Sequence, residues 1–218
     1  MGGRGAYSFS RHVSGKWSGR LGPMVPQTLK DALGAKGSPI PIADAIVKTN
    51  PHFNRSFREY SENCQRCVVA YEMRRRGYDV TALPTYAGDT LPRVAHVSSD
   101  GKIYGRWKGA FRDAKPVNVG VPGNNKKAES GVIGNIEKQM KSFGPGSRGV
   151  VQIFYRGGGG HVFNVENSGG RIVYAEAQSG MVKNISKTMN HVDTGTVNLV
   201  RTDNLHISER AKNFVTTK

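Results

Sequence analysis

Asn63 to Gly77 reads NCQRCVVAYEMRRRG and contains both cysteines of the 218-residue chain. Asn63 is of the N-capping type, Glu62 places negative charge just before it, and Gly77 stands where a helix needs a left-handed stop. Between them Val68, Val69, Ala70, Tyr71 and Met73 supply apolar bulk, so the spacing predicts a helix from Cys64 to Arg76. Cys64 then falls in the first turn, where unpaired N–H groups and the helix dipole favour a thiolate over a thiol. Cys67, one turn deeper beside Val68 and Val69, reads as core but stays the rival nucleophile. A helix can also use two cysteines simply as small core residues, and what argues otherwise lies far downstream.

Working outward, Tyr78 to Leu83 has strand composition and is closed by Pro84, so helix and strand form the first unit of the core. Ser130 to Phe143 places Val132, Ile133, Ile136, Met140 and Phe143 on one helical face, with Gly144 as the stop. The following GPGSRG at 144–149 lacks the Gly-Lys-Ser/Thr ending of a phosphate loop and follows a helix instead of preceding one, so it reads as a turn. Three strand signals come next, at 149–155, 161–166 and 171–176, separated by four glycines and by Asn167-Ser168-Gly169-Gly170; a last strand is expected at 196–201. Helices first and an antiparallel meander after them indicate an α+β domain. From Gly88 to Asn125 the periodicity is weak, with Trp107 and Phe111 spaced to anchor a short helix. Residues 1–50 hold eight Gly and four Pro around short apolar patches at 28–33 and 43–47. They read as a basic arm with one or two short helices, either docking on a larger assembly or forming a leader, ahead of a domain at 51–218.

Thirty-two basic against 16 acidic residues give a net charge of +16, which favours contact with nucleic acid, acidic protein surfaces or anionic membrane. The excess is spread: residues 1–50 carry seven basic and two acidic side chains, and 111–160 carry eight and three. Arg74-Arg75-Arg76 is the densest cluster, and its place at a helix C-terminus suits the dipole at least as well as a phosphate. Two cysteines three residues apart are no extracellular disulfide framework, and MGGRGAYSFSRH lacks the apolar stretch of a secretory signal, which points to a reducing compartment. No apolar run approaches the ~20 residues a membrane-spanning helix needs.

A thiolate nucleophile needs a base within hydrogen-bond reach, and the base needs a third group to fix its tautomer. The second hairpin offers both. With a turn symmetric about Ser168 and Gly169, Glu166 faces Arg171 and His161 faces Glu176, with Cβ atoms about 4.5–5.5 Å apart. Gln178, two residues on, shares that face. A Cys at a helix start, then a glycine-flanked His, then an acid opposite it is the order that papain-like folds use.

NCQRCVVAYEMRRRGYDVTA at 63–82, GSRGVVQIFYR at 146–156 and GHVFNVENSGGRIVYAEAQSG at 160–180 together resemble the papain-fold toxin domains. These are a cysteine-protease or glutamine-deamidase group of polymorphic toxins and phage head-associated proteins. The resemblance implies a papain-like fold over roughly residues 50–200, with Cys64 as nucleophile, His161 as general base and acid, and position 176 as the orienting acid. The family usually carries Asp there and Gln two residues later, whereas this chain has Glu176 and Gln178. The backbone N–H of Cys64 is the natural oxyanion donor, with the Asn63 side chain as a second.

A redox Cys-x-x-Cys would follow a thioredoxin-like strand, which is not evident before Asn63. Zinc would need two further ligands at finger spacing, which the histidines at 12, 52, 96, 191 and 206 do not provide; no cofactor is expected. The leading expectation is a cysteine-dependent hydrolase acting on protein carboxamide or peptide bonds, in a phage virion or as an effector delivered to a bacterial cytoplasm. The competing expectation is a basic structural protein of a phage particle, touching capsid or nucleic acid, with a papain-like fold and little catalysis.

Overall fold

The predicted central helix forms over Cys64–Arg75, and Gly77 ends it as expected. Gly77 has φ 99°, and the Tyr78 N–H reaches back to the Met73 carbonyl at 3.0 Å, the signature of a Schellman stop. A second reason for glycine is steric. A Cβ at position 77 would stand 2.2 Å from the Gly37 carbonyl oxygen, whose own N–H donates to the Gly77 carbonyl at 2.8 Å.

The structure, a computed structural model, describes residues 25–86, 89 and 106–217. Much of the expected arm, including the stretch read for a signal peptide and His12, lies outside the described residues, as do His96 and most of the stretch from Gly88 to Gly105. The helices are α1 (Leu29–Leu33), α2 (Ile42–Thr49), α3 (Arg58–Ser61), α4 (Cys64–Arg75), α5 (Lys126–Ser142) and α6 (Ile185–Met189). The strands are β1 (Val80–Ala82), β2 (Val117–Asn118), β3 (Arg148–Phe154), β4 (Gly160–Ser168), β5 (Arg171–Glu176), β6 (Met181–Val182), β7 (Asn198–Arg201) and β8 (Val215–Thr217). Short 3-10 turns cover Arg106–Ala110, Thr194–Thr196 and Glu209–Asn213.

The expected meander is the centre of a six-stranded antiparallel sheet ordered β2-β7-β3-β4-β5-β6. Its strands alternate between two cores. Val150, Val162 and Ala175 join α4, β1 and β8 on one side, while Val151, Ile153, Phe163, Val165, Tyr174 and Leu199 pack with Val132, Ile136 and Met140 of α5 on the other. Each helix therefore covers one face of the sheet, the α+β arrangement read from the sequence. α5 begins four residues before the expected start, because Asn125 caps it: its side chain accepts from the Ala128 N–H at 2.9 Å.

The expected strand forms as β1, Val80–Ala82, and pairs with β8 near the C-terminus, a strand without a sequence-level signal, with Val80 opposite Thr217. Two parts differ from expectation. Within the segment expected to be an arm, α1 and α2 bury Ala32, Leu33, Ala45 and Ile46 in the same core as α4. The β4–β5 register differs too. The turn is Gly169-Gly170, both with positive φ (62° and 96°), so Ser168 pairs with Arg171 and Glu166 with Val173, not with Arg171. That moves the ladder by two residues from the expected register. An even shift keeps every side chain on its expected face but makes His161 and Glu176 diagonal neighbours, not directly opposed ones.

Candidate active site

His161, the second residue of β4, and Glu176, the last of β5, sit at one end of the sheet. By alternation they take the side of Phe163 and Tyr174, not that of Asn164 and Ala175, which face α4. Despite the diagonal register, the longer Glu side chain closes the gap, and His161 Nε2 lies 2.7 Å from Glu176 Oε2. Cys64, at the start of α4, is near enough to the His161 ring to help raise its pKa. Three residues drawn from a span of more than a hundred positions thus come together: thiol, imidazole, carboxylate.

The electrostatics suit a pre-formed ion pair. Burial acts to lower the His161 pKa, but the Glu176 carboxylate and the hydrogen bonds from Cys64 and Glu176 outweigh it, and the value is pushed up to about 9. Burial acts to raise the Glu176 pKa, and His161 with Lys183 overcomes it to bring the carboxyl down to about 2. At neutral pH the pair is therefore imidazolium and carboxylate. Cys67 behaves differently. Burial first, then the neighbouring Cys64 and Glu176, drives its thiol well above the usual range, and its Sγ donates to Asn63 Oδ1 at 3.2 Å. Both cysteines are free.

Asn63 does not cap α4 with its side chain, nor is it poised as an oxyanion donor. It is buried, and its Nδ2 donates to Leu83 O and Asn50 Oδ1, both at 3.2 Å. Its role is that of a clamp. Asn50, at the end of α2, donates to the main-chain oxygens of Tyr60 at 2.9 Å and Gln178 at 2.8 Å, and Gln178 Nε2 lies 3.5 Å from Asn63 Oδ1. This amide cluster ties α2, the start of α4, the residue after β1 and the loop after β5 into one unit, fixing the Cys64 turn against the Glu176 strand end. Gln178 belongs to the cluster through that loop, not as a further strand residue. Cys64 opens α4, so its backbone N–H lies in the first turn.

Two participants have no clear sequence signal. Asn50 closes a segment whose glycines and prolines read as an arm. Lys183 follows a two-residue strand, yet its Nζ bonds Glu176 Oε2 while packing 4.9 Å over the Phe163 ring. Among the described residues no group of three or more His, Cys, Asp or Glu could hold a metal ion, and no helix is long and apolar enough to cross a membrane.

A comparison with protein-family models matches residues 62–181 to papain fold toxin 1, glutamine deamidase. Comparisons with curated proteins and with solved structures found no match. The matched span runs from the residue before Asn63, through Cys64 and His161, to just past Glu176 and Gln178, and it covers more than half of the chain. With the helix, the antiparallel sheet and the three clustered side chains inside that span, the chain belongs to the papain-fold toxin family of the glutamine deamidase type.

Proposed function

We propose that the protein is a cysteine-dependent glutamine deamidase that converts side-chain carboxamides of a target protein to carboxylates. The observation that carries this reading is the contact chain Cys64, His161, Glu176. The reaction starts from Cys64 as the attacking sulfur nucleophile, beside the imidazolium of His161. Sulfur attacks the carboxamide carbon, and the carbonyl oxygen, now anionic, lies toward the Cys64 backbone N–H. As the C–N bond breaks, His161 gives its proton to the departing nitrogen and ammonia leaves. The neutral imidazole then takes a proton from water, whose oxygen attacks the thioester. The C–S bond breaks, leaving glutamate and the restored cysteine. Glu176 holds the ring orientation throughout and stabilises its charged form.

A macromolecular substrate fits the surroundings. Val47, Met181 and Val182 are 61%, 53% and 67% exposed. Met181 pairs with Glu176, and Gly180 lies against Val47, so an apolar surface begins beside the site. The net charge of +16 favours an acidic target surface and suits an effector delivered into another cell. The same charge supports a second reading, a basic virion protein that contacts nucleic acid.

Intact-mass spectrometry of candidate target proteins after incubation tests the reaction. A gain of about one mass unit per site, absent with Cys64→Ala, is the expected result. Fragments would make the protein a protease instead. Salt-dependent DNA binding that survives Cys64→Ala, with no mass change in any target, would favour the virion reading.

A further inference from the structure

Glu176 Oε2 has two cationic partners, the His161 ring at 2.7 Å and the Lys183 ammonium, whereas Glu176 Oε1 is buried with no hydrogen-bond partner. A carboxylate whose only job was to hold an imidazole would not need a second cation on the same oxygen. Lys183 is itself held: it is 13% exposed, and its ammonium lies over the Phe163 ring, whose neighbour two residues back on β4 is His161. The charged and titratable groups around the carboxylate are thus His161 from β4, Lys183 from beyond β6, and Cys64 and Cys67 from α4.

We propose that Lys183 is a positioning residue: by sharing Oε2 with His161 it pins the long, diagonally reaching Glu176 side chain and divides the carboxylate's charge between ring and ammonium. Two consequences follow. A Glu side chain has one more rotatable bond than Asp, and a second tether on the bonding oxygen removes that freedom. A carboxylate bonded to the ring alone would over-stabilise the imidazolium, which must give up its proton to the leaving nitrogen. A cation on the same oxygen opposes this, and Lys183 does act to lower the His161 pKa.

This rests on His161 and Glu176 being the catalytic pair, but its test needs no substrate, so it fails or succeeds separately from glutamine hydrolysis. The His161 ring is titrated by NMR in the wild type, in Lys183→Met and in Lys183→Arg, with His161→Gln used to assign the resonance. In Lys183→Met the His161 midpoint should rise by about one pH unit, a tenfold change in proton affinity. In Lys183→Arg it should stay near the wild-type value. The pH dependence of Cys64 alkylation should move with it. A His161 midpoint unchanged or lowered in Lys183→Met, or shifted equally in Lys183→Arg, overturns the proposal.

Discussion

The two ends of α4 both bury charge, and they do so to opposite effect. At the C-terminal end the two buried carboxylates, Glu72 and Glu166, have partners on both oxygens, while Arg74 keeps two buried nitrogens without one. Glu72, fully buried, receives Arg76 Nε at 2.7 Å, Arg148 through two nitrogens at 2.9 and 3.0 Å, and the Thr202 hydroxyl at 3.3 Å. Glu166 receives Arg75 through two nitrogens at 2.7 and 3.1 Å and the Tyr71 hydroxyl at 2.8 Å. At the N-terminal end one carboxylate oxygen has no hydrogen-bond partner, and the thiols make only weak bonds. Saturated networks hold two elements in one register, here α4 against β3, β4 and Thr202 beyond β7. An unsaturated one retains capacity for a reacting group. On the proposed function, the difference separates buried carboxylates that tie elements together from the one beside the thiols; Arg74, Arg75 and Arg76, open to a phosphate-binding reading in the sequence, all have protein carboxylates as partners, Asp79, Glu166 and Glu72.

The comparison is most sharply tested by neutralising one carboxylate at each end. Glu176→Gln should keep the fold while lowering turnover by about 10²–10⁴, since an amide can neither fix the imidazole tautomer nor stabilise its charged form. Its effect on stability should depend on pH in a defined way. The folded-state pKa of His161 is raised from 6.5 to about 9, so its contribution is complete below 6.5 and lost as pH climbs through 9. The folded-state pKa of Glu176 is lowered from 4.5 to about 2, so its contribution is complete above 4.5 and lost as pH falls through 2. Denaturation midpoints should therefore separate wild type from Glu176→Gln most between pH 4.5 and 6.5, and converge toward both extremes. A variant that keeps full turnover would remove Glu176 from the mechanism.

Glu72→Ala is the counterpart. Breaking a buried charge network by removing one partner costs about 3–5 kcal/mol, because the guidiniums of Arg76 and Arg148 are left without their carboxylate. That is a large share of the roughly 5–15 kcal/mol that stabilises a domain. The expected outcome is a lower denaturant midpoint at every pH, with whatever folded protein remains still alkylated at Cys64. Unchanged stability together with lost activity would show that the two ends are not separable in the way their hydrogen bonds suggest.

What the sequence made legible was local. The α4 helix announces itself through an apolar run closed by Gly77, and the meander through three β-rich segments between glycine turns, so the Cys64 turn and the His161 and Glu176 strand ends could be found. What was hidden depends on distant pairing or on a choice among similar turns. Ser168-Gly169 and Gly169-Gly170 are both acceptable hairpin turns, and only the folded backbone, with both glycines at positive φ, selects the second. The β1–β8 pairing joins residues more than a hundred positions apart through three-residue strands, too short to carry an alternation signal. Eight glycines and four prolines before Asn50 mask Ala32, Leu33, Ala45 and Ile46, by which α1 and α2 enter the core. Asn63 has the right side chain for a cap, and the competing partners Asn50 and Leu83, which redirect it, come from tertiary contacts.

The smallest expected effect concerns two thiols one helical turn apart. Cys64 is 8% exposed and sits beside the His161 ring, whose pKa it helps to raise, whereas Cys67 is 1% exposed and donates to Asn63. Alkylation requires the thiolate and a path to it. Cys67 is short of both, because burial drives its thiol well above the usual range and Cys64 and Glu176 add further charge against ionisation. Iodoacetamide at neutral pH, followed by peptide mapping, should therefore modify Cys64 at least about tenfold faster than Cys67, the factor that one unit of thiol pKa alone would give. Glu176→Gln should narrow the ratio from both sides: it removes the support of the imidazolium beside Cys64, and it removes a negative charge that opposes ionisation of Cys67. Equal rates in the wild type, or faster labelling of Cys67, would transfer the nucleophile's role one turn along the helix and leave His161 and Glu176 without the thiol they are arranged to serve.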